Sequence, residues 1–404
     1  MAIQLPGIFD EKRLLIYWII YSSLGCIEYI LHGLCDFLRF YWLGKCIFLV
    51  WFLKSGSSSS TEMTSESETT DLIKKEPTVA RKRATQGDRK RTQLNVPPRS
   101  TVLSRDAKWI QSAVTVAGGN GNGSNLNQLW APSSVFVDDD QNVYVAEPVN
   151  DRIVEWKAGA KDGRLAAGGG ELMEGTSKLG SPSDVIIDKK TDSLIICDTG
   201  RRRVIRWRRE ADTEDETIAT DIDCKGLTMD ENGSIYVTDN GRDEVVRYDI
   251  GDSEGVIVAG GNGKGDGLNQ LNSPYRVFVD QDYSVYVSDE DNHRVMKWTD
   301  GATEGVVVAG GQGDGDSLSQ LKYPRGVIVD QLGTVYVTDY GNARIMRWLK
   351  GATQGDIIAG GNGEGEETNK LTWPNGLAFD RQGNVYVVDA GNARVQKFDI
   401  ARNY

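Results

Sequence analysis

The stretch PRGVIVDQLGTVYVTDYGNARIMRW, residues 324–348, decides the fold. Val327, Ile328 and Val329 are apolar without alternation, which reads as a short strand covered on both faces. A turn around Gly333 leads to Val335-Tyr336-Val337, and a second turn, Asp339 to Asn342, leads to a third strand closing on Trp348. The pattern then recurs outward in both directions. Pro132, Pro182, Pro274, Pro324 and Pro374 each open such a segment, at spacings of 50, 92, 50 and 50 residues. The wide gap holds one more copy, CKGLTMDENGSIYVTDNGRDEVVRY, with Cys224 in the proline position. Internal repetition of this kind outranks residue-level signals when a fold is inferred.

Each of the six units offers four strands. The first is SVFVD, DVIID, GLTMD, RVFVD, GVIVD or GLAFD in turn, and the second is the Val-Tyr-Val run. The third ends on Trp156, Trp207, Tyr248, Trp298, Trp348 or Phe398, and a fourth runs into Ala-Gly-Gly at Ala117, Ala259, Ala309 and Ala359. One four-stranded sheet cannot bury both its faces alone, so six units imply a six-bladed, all-β propeller over residues 105–404. The ends of the array agree. After Phe398 too little chain remains for a fourth strand, while Ser112–Gly119 is a fourth strand with no blade before it. The amino-terminal strand is therefore expected to complete the sixth blade, which removes the open sheet edges. Strand alternation puts the Asp-x-x-Asn-x-Arg turns on the same face as the long glycine-rich links, and that face is the candidate binding face.

The hairpins DEDNHRV (Asp289–Val295), DYGNARI (Asp339–Ile345) and DAGNARV (Asp389–Val395) resemble those of NHL-repeat proteins. The resemblance covers about residues 105–404 and rests on six copies in register. It implies a propeller of the kind used as ligand-binding domains of bacterial receptor kinases, as protein- or RNA-binding domains of TRIM-type ubiquitin ligases, and as a peptide-amidating lyase. From the residues themselves, the hairpin is a structural device: an Asp accepts turn amides while Asn and Gly tolerate left-handed backbone. The Asp-Arg pairs expected are Asp198 with Arg203, Asp289 with Arg294, Asp339 with Arg344, and Asp389 with Arg394. Glu147 replaces the Asp in unit one, beside Arg152, and Glu244 replaces the Arg in unit three, so the third blade is expected to be the least regular.

Specificity is expected where the units differ. The two positions after the proline slot read Ser133–Ser134, Ser183–Asp184, Lys225–Gly226, Tyr275–Arg276, Arg325–Gly326 and Asn375–Gly376, at the mouth of the central channel. Tyr323 and Trp373 precede their prolines and Trp130 lies nearby. These unlike polar and aromatic groups form a candidate ligand mouth, the alternative being a solvated rim. Arg201, Arg202, Arg206, Arg208 and Arg209 stand against Asp212, Glu214, Asp215 and Glu216, read as an outer-strand ion-pair network or an acidic-partner site.

Ahead of the repeats, residues 14–53 are mostly aliphatic and aromatic, interrupted by Glu28, Arg39 and Lys45. A signal anchor, a helical hairpin and a segment lying on the membrane all fit, whereas a signal-peptide core is shorter. Initiation at Met63 would instead yield a soluble protein. Residues 54–104 are Ser/Thr-rich and then charged, a composition that reads as a flexible tether. Its basic runs Arg81–Arg83 and Arg89–Arg91 also fit a nuclear signal, a lipid-headgroup contact or a protease site. The propeller side of the membrane is open, but sequons at Asn122 and Asn232 lean towards the outside of the cell.

Charge and chemistry narrow the function. Residues 1–104 carry a net +4 and the remainder −16, so an acidic body argues against nucleic acid as partner. The two histidines, His32 and His293, cannot build a zinc site, and no Ser-His or Cys-His arrangement is present. The glycine runs lack a following GK[ST], so they are turns and not phosphate loops. Asp266, Asp314 and Asp316 leave a calcium site open, and with it a calcium-dependent hydrolase or lyase. No cofactor is otherwise implied. Cys197 and Cys224 fall on one face of neighbouring blades, with buried free thiols the expectation and a bond the alternative. The chain reads as a non-catalytic recognition propeller for a protein, peptide or glycan, tethered to a membrane; an RNA-binding scaffold is the competing reading.

Overall fold

A computed structural model describes residues 81–84, 103–169, 179–209, 215–252 and 254–401. The apolar segment expected at 14–53 lies outside these residues, as does most of the expected tether. The described chain forms six antiparallel sheets arranged as a ring, each sheet a meander with its first strand innermost. Blade five is representative: Pro324–Val329, Val335–Asp339, Arg344–Trp348 and Asp356–Gly360. Innermost strands of successive blades lie against one another, and that of blade six, Pro374–Phe379, lies against that of blade one, Ser134–Val137.

The period of two along each strand explains why this arrangement is stable. Val335 and Val337 face blade four, where they pack with Tyr286, Val295 and Ala309, whereas Tyr336 and Ile345 face Leu377, Val385 and Phe398 of blade six. Both faces of every blade are thus apolar, and each neighbour covers one of them. Trp156, Trp298, Trp348 and Phe398 are no more than 1 % exposed, filling the seams between blades. The Ala-Gly-Gly ends are required by the next turn. Gly360 has φ +68°, and a Cβ there would stand 2.6 Å from the Ala343 carbonyl oxygen.

Closure joins the two ends of the described ring. Val114–Gly118 pairs antiparallel with Arg394–Phe398 and is the outermost strand of blade six. Trp109 secures it: its Nε1 donates to the Gly383 carbonyl at 2.9 Å, and its ring meets those of Tyr336 and Phe379.

Three expectations need correction. The third blade is not irregular in register: its strand offsets match those of blades four and five. Blade two departs instead, with strands Pro182–Asp188, Ser193–Asp198 and Arg203–Arg208 each one residue longer than their counterparts in blade five, because its first turn holds an extra residue. Cys197 and Cys224 are bonded rather than free. Blade three's innermost strand lies against blade two's second strand, which brings two residues 27 apart in sequence to a Cα separation of 5.5 Å. The expected tether is also not solvated throughout: Lys82–Arg83 forms a fifth strand on blade three.

Candidate functional site

The hairpins turn out to anchor the links. In blade five, Asp339 Oδ1 accepts the Lys322 amide at 2.7 Å, and its Oδ2 accepts Asn342 at 2.8 Å and Arg344 Nε at 2.6 Å. The Arg344 guanidinium then donates to the carbonyls of Asp316, Ser317 and Gln320 in the glycine-rich link. Blades four and six repeat this with Asp289 and Arg294, and with Asp389 and Arg394, while blade two pairs Asp198 with Arg203 at 2.7 Å. In blade one Glu147 does the same work, accepting the Trp130 amide and Arg152. Burial pushes the Asp339 carboxyl above its usual range, and hydrogen bonds from Asn342, Lys322 and Arg344 oppose that. Asp266 and Asp316 are used through their backbone carbonyls. Among the described residues no three His, Cys, Asp or Glu side chains are grouped as a metal site requires.

The positions after the proline slot converge at the axis and bond to one another. Arg276 of blade four crosses the channel and donates to the carbonyls of Ser133 at 2.9 Å, Ser183 at 3.0 Å, and Lys225. Its Nε lies 3.7 Å from Asp184, which also accepts the Leu227 amide. Tyr275 lies between two guanidinium groups, Arg276 at 4.9 Å and Arg325 at 4.7 Å from its ring centroid, and its hydroxyl accepts from Asn375. Arg325 also covers the Tyr340 ring at 3.6 Å and pairs with Glu290 at 2.7 Å. One buried arginine therefore ties four blades together. Ser134 Oγ and Asn375 Oδ1, both buried, have no protein partner. Glu290 and Tyr340 were not singled out from sequence, because both sit within hairpins that read as structural.

The exposed part of this face is aromatic on one side. Tyr323, Trp373 and Trp130 are 41 %, 50 % and 47 % exposed and belong to blades five, six and one, which are consecutive around the ring. Tyr323 and Trp373 have φ of 51° and 54°, a left-handed conformation that bulky residues rarely take. The corresponding positions of blades two and four are Ser181 and Ser273. Tyr323 is pinned by its amide, which donates to His293 Nδ1 of blade four at 3.2 Å, with the two rings in edge contact.

Blade two's arginines have partners beyond the expected Glu216. Arg206 pairs with Asp188 as well as Glu216, Arg209 with Asp192 and Glu155, and Arg202 with Asp221. Asp212 and Glu214 lie outside the described residues. Glu155 is the centre of this cluster at 1 % side-chain exposure. Burial alone would raise its carboxyl, yet hydrogen bonds from Arg164, Lys157 and Tyr144 outweigh it and bring it from 4.5 to about 2. A depressed carboxyl contributes stability that is complete above pH 4.5 and lost as pH falls towards 2. Glu155→Gln is expected to be less stable at neutral pH and to lose stability less steeply across that window. Urea titrations at stepped pH check this, and parallel slopes for the two proteins would contradict it.

Comparison with known proteins divides the chain in the same way. Residues 2–62 match the TB2/DP1, HVA22 family, and residues 321–347 and 371–398 match the NHL repeat. The amino-terminal part is 34 % identical over 53 residues to HVA22-like protein e of Arabidopsis thaliana, a match covering 13 % of this chain and 46 % of that protein. The chain thus spans about half the length of the curated relative it matches. With the apolar run at 14–53, this supports a membrane-associated amino terminus. The ring resembles an auxiliary nutrient binding protein from Bacteroides thetaiotaomicron, at TM-score 0.57 and 16 % identity over 74 % of this chain and 78 % of that one. It also resembles a protein of unknown function from the same organism, at TM-score 0.57 and 15 % identity over 72 % and 76 %. At such identities these likenesses speak for the fold alone. Repeat match, hairpin chemistry and blade number agree: the ring is an NHL-repeat β-propeller.

Proposed function

We propose that the chain is a non-catalytic recognition propeller, held at a membrane by residues 14–53 and binding a protein, peptide or glycan on the face that carries the long links. The observation that carries the reading is the exposed arc of Tyr323, Trp373 and Trp130 on three consecutive blades. Large aromatic surfaces on a rigid frame give contact area at little entropic cost, and such residues dominate binding energies when a ligand covers them. Beside the arc, the channel mouth offers Lys225, Tyr275 and Arg325, each partly exposed. Arg276 is a strut in this reading, because its donors are consumed by neighbouring carbonyls. The disulfide and the exposed sequon at Asn122 favour a propeller facing an oxidising compartment. Asn232 is the poorer acceptor, since its amide donates to the Tyr283 hydroxyl at 3.0 Å.

The test uses full-length protein on peptide and glycan arrays. Ligands captured by the wild type are expected to bind the Trp130→Ala, Tyr323→Ala, Trp373→Ala triple variant at least about 30-fold more weakly, as for the loss of aromatic anchors worth about 2 kcal/mol or more. Equal binding by the triple variant would overturn the proposal. So would a ligand set confined to RNA whose affinity falls steeply with salt, since that is the signature of phosphate neutralisation.

A further inference from the structure

Blade three lacks the hairpin arginine, and the structure shows what stands in its place. Arg152, Arg203, Arg294, Arg344 and Arg394 occupy this position in the other five blades, whereas blade three has Glu244. The substitution puts a second carboxylate beside Asp239 in a buried pocket, where their side chains are 6 % and 0 % exposed. Two like charges in low dielectric are strongly unfavourable unless a cation joins them. The reason for the change lies in the preceding link. In blades four to six the arginine is held by carbonyls of a long glycine-rich loop, but blades two and three are joined by Asp221–Asp223 alone. An arginine at 244 would have no such loop to hold, and the space that the loop fills elsewhere is left for something else.

That occupant comes from the basic run ahead of the propeller. Arg81 Nη1 donates to Asp239 Oδ2 at 3.0 Å and to Glu244 Oε1 at 2.7 Å, so one guanidinium bridges both carboxylates. Arg242 adds a second cation to Asp239 at 2.9 Å. Burial pushes the Glu244 carboxyl up, and the bond from Arg81 is the main influence opposing it. The segment that delivers Arg81 is fixed by its backbone. Lys82 and Arg83 run parallel to Val256 and Ile257 of the outermost strand, and the Ala84 amide donates to the Ile257 carbonyl at 3.0 Å. Arg83 then binds the Gly260 carbonyl at 3.1 Å, Asn262 Oδ1 at 3.3 Å, and the Thr303 carbonyl of blade four at 3.3 Å. The contacts combine strand addition to a sheet edge with charge recognition at Arg-x-Arg spacing. The run is cationic and the propeller carries −16, so the long-range field favours the same encounter.

We propose that blade three carries a docking site for an extended Arg-x-Arg strand and that its occupant is the chain's own Arg81–Ala84. Docking fixes the end of the linker to the side of the ring and withholds the first basic run from lipid headgroups, proteases and other partners. The second run, Arg89–Arg91, lies outside the described residues. The inference does not depend on what the aromatic face binds.

The experiment is limited trypsin digestion and hydrogen exchange on the full-length protein. In the wild type, cleavage after Arg81 and Arg83 is expected to be at least about tenfold slower than after Arg89 and Arg91 of the same linker, and the Ala84 amide to exchange slowly. Glu244→Arg restores the residue found in the other blades and makes the pocket repel Arg81. It is expected to keep the propeller folded while cleavage after Arg83 accelerates about tenfold. A synthetic peptide with the sequence of residues 78–86 should bind the Arg81→Ala, Arg83→Ala variant and fail to bind Glu244→Arg. Wild-type cleavage as fast at Arg83 as at Arg91 would overturn the proposal, and so would unchanged protection in Glu244→Arg. The first comparison needs no variant, so a misfolded mutant leaves the test intact.

Discussion

A chain shortened to begin at Gly119 is expected not to form a stable propeller. The truncation removes Val114–Gly118, the outermost strand of blade six, and with it Trp109, Ala107 and Ala113 of the core between blades five and six. Replacing a buried Trp with alanine costs about 3–5 kcal/mol. Losing Trp109 together with a four-pair strand register therefore removes a large part of the roughly 5–15 kcal/mol that separates folded from unfolded domains. The truncation also exposes the edge of Arg394–Phe398, a template for pairing between molecules. The measurements are yield of soluble protein, protease resistance and thermal melting, against a chain that begins at Leu103. Trp109→Ala alone should fall between the two. Equal melting of the Gly119 and Leu103 chains would show that the closing strand is dispensable.

Asp339→Ala is expected to lower stability by about 3–5 kcal/mol, the usual result of removing one partner from a buried ion pair. Asp339 is fully buried and serves three donors: Lys322, Asn342 and Arg344. Its removal strands the Arg344 guanidinium, which is 5 % exposed, and releases the link that this arginine holds through three carbonyls. Glu147→Asp is the control. It installs the residue that other blades use at a site where Glu147 already makes the equivalent bonds, and it should change the urea midpoint little. A loss below about 1 kcal/mol for Asp339→Ala would mean that the hairpin is a surface ornament.

The part of the fold that was legible in the sequence depends on repetition. A repeated feature is recorded several times, so a departure in one unit is corrected by the others: the innermost strands, the closing aromatic residue, the hairpin between the second and third strands. One feature shared by blades three to six was passed over. The Asp that ends the first strand holds its own turn and accepts a tyrosine hydroxyl, as Asp330 does for the Thr334 amide and Tyr336 at 3.1 Å. The spacing was visible, but an Asp before a glycine turn is adequately explained as turn chemistry, and nothing prompted a second role.

What was hidden involves residues that meet only once. The Cys197–Cys224 bond needs two strands of different blades to lie side by side, and a link of three residues to bring them there. Arg276 reads as a free guanidinium at a channel mouth until carbonyls of three other blades are placed around it. Glu244 reads as a flaw in its repeat until Arg81, far away in sequence, is seen to supply the missing charge. The sequence by itself determined blade number, strand order and the face that bears the links, because these follow from local patterns repeated at a fixed interval. The tertiary structure decided which mouth residues bond to neighbouring blades, which aromatics remain exposed, and where Arg81–Ala84 lies. Those depend on non-local electrostatics and burial, and neither has a period that a sequence can display.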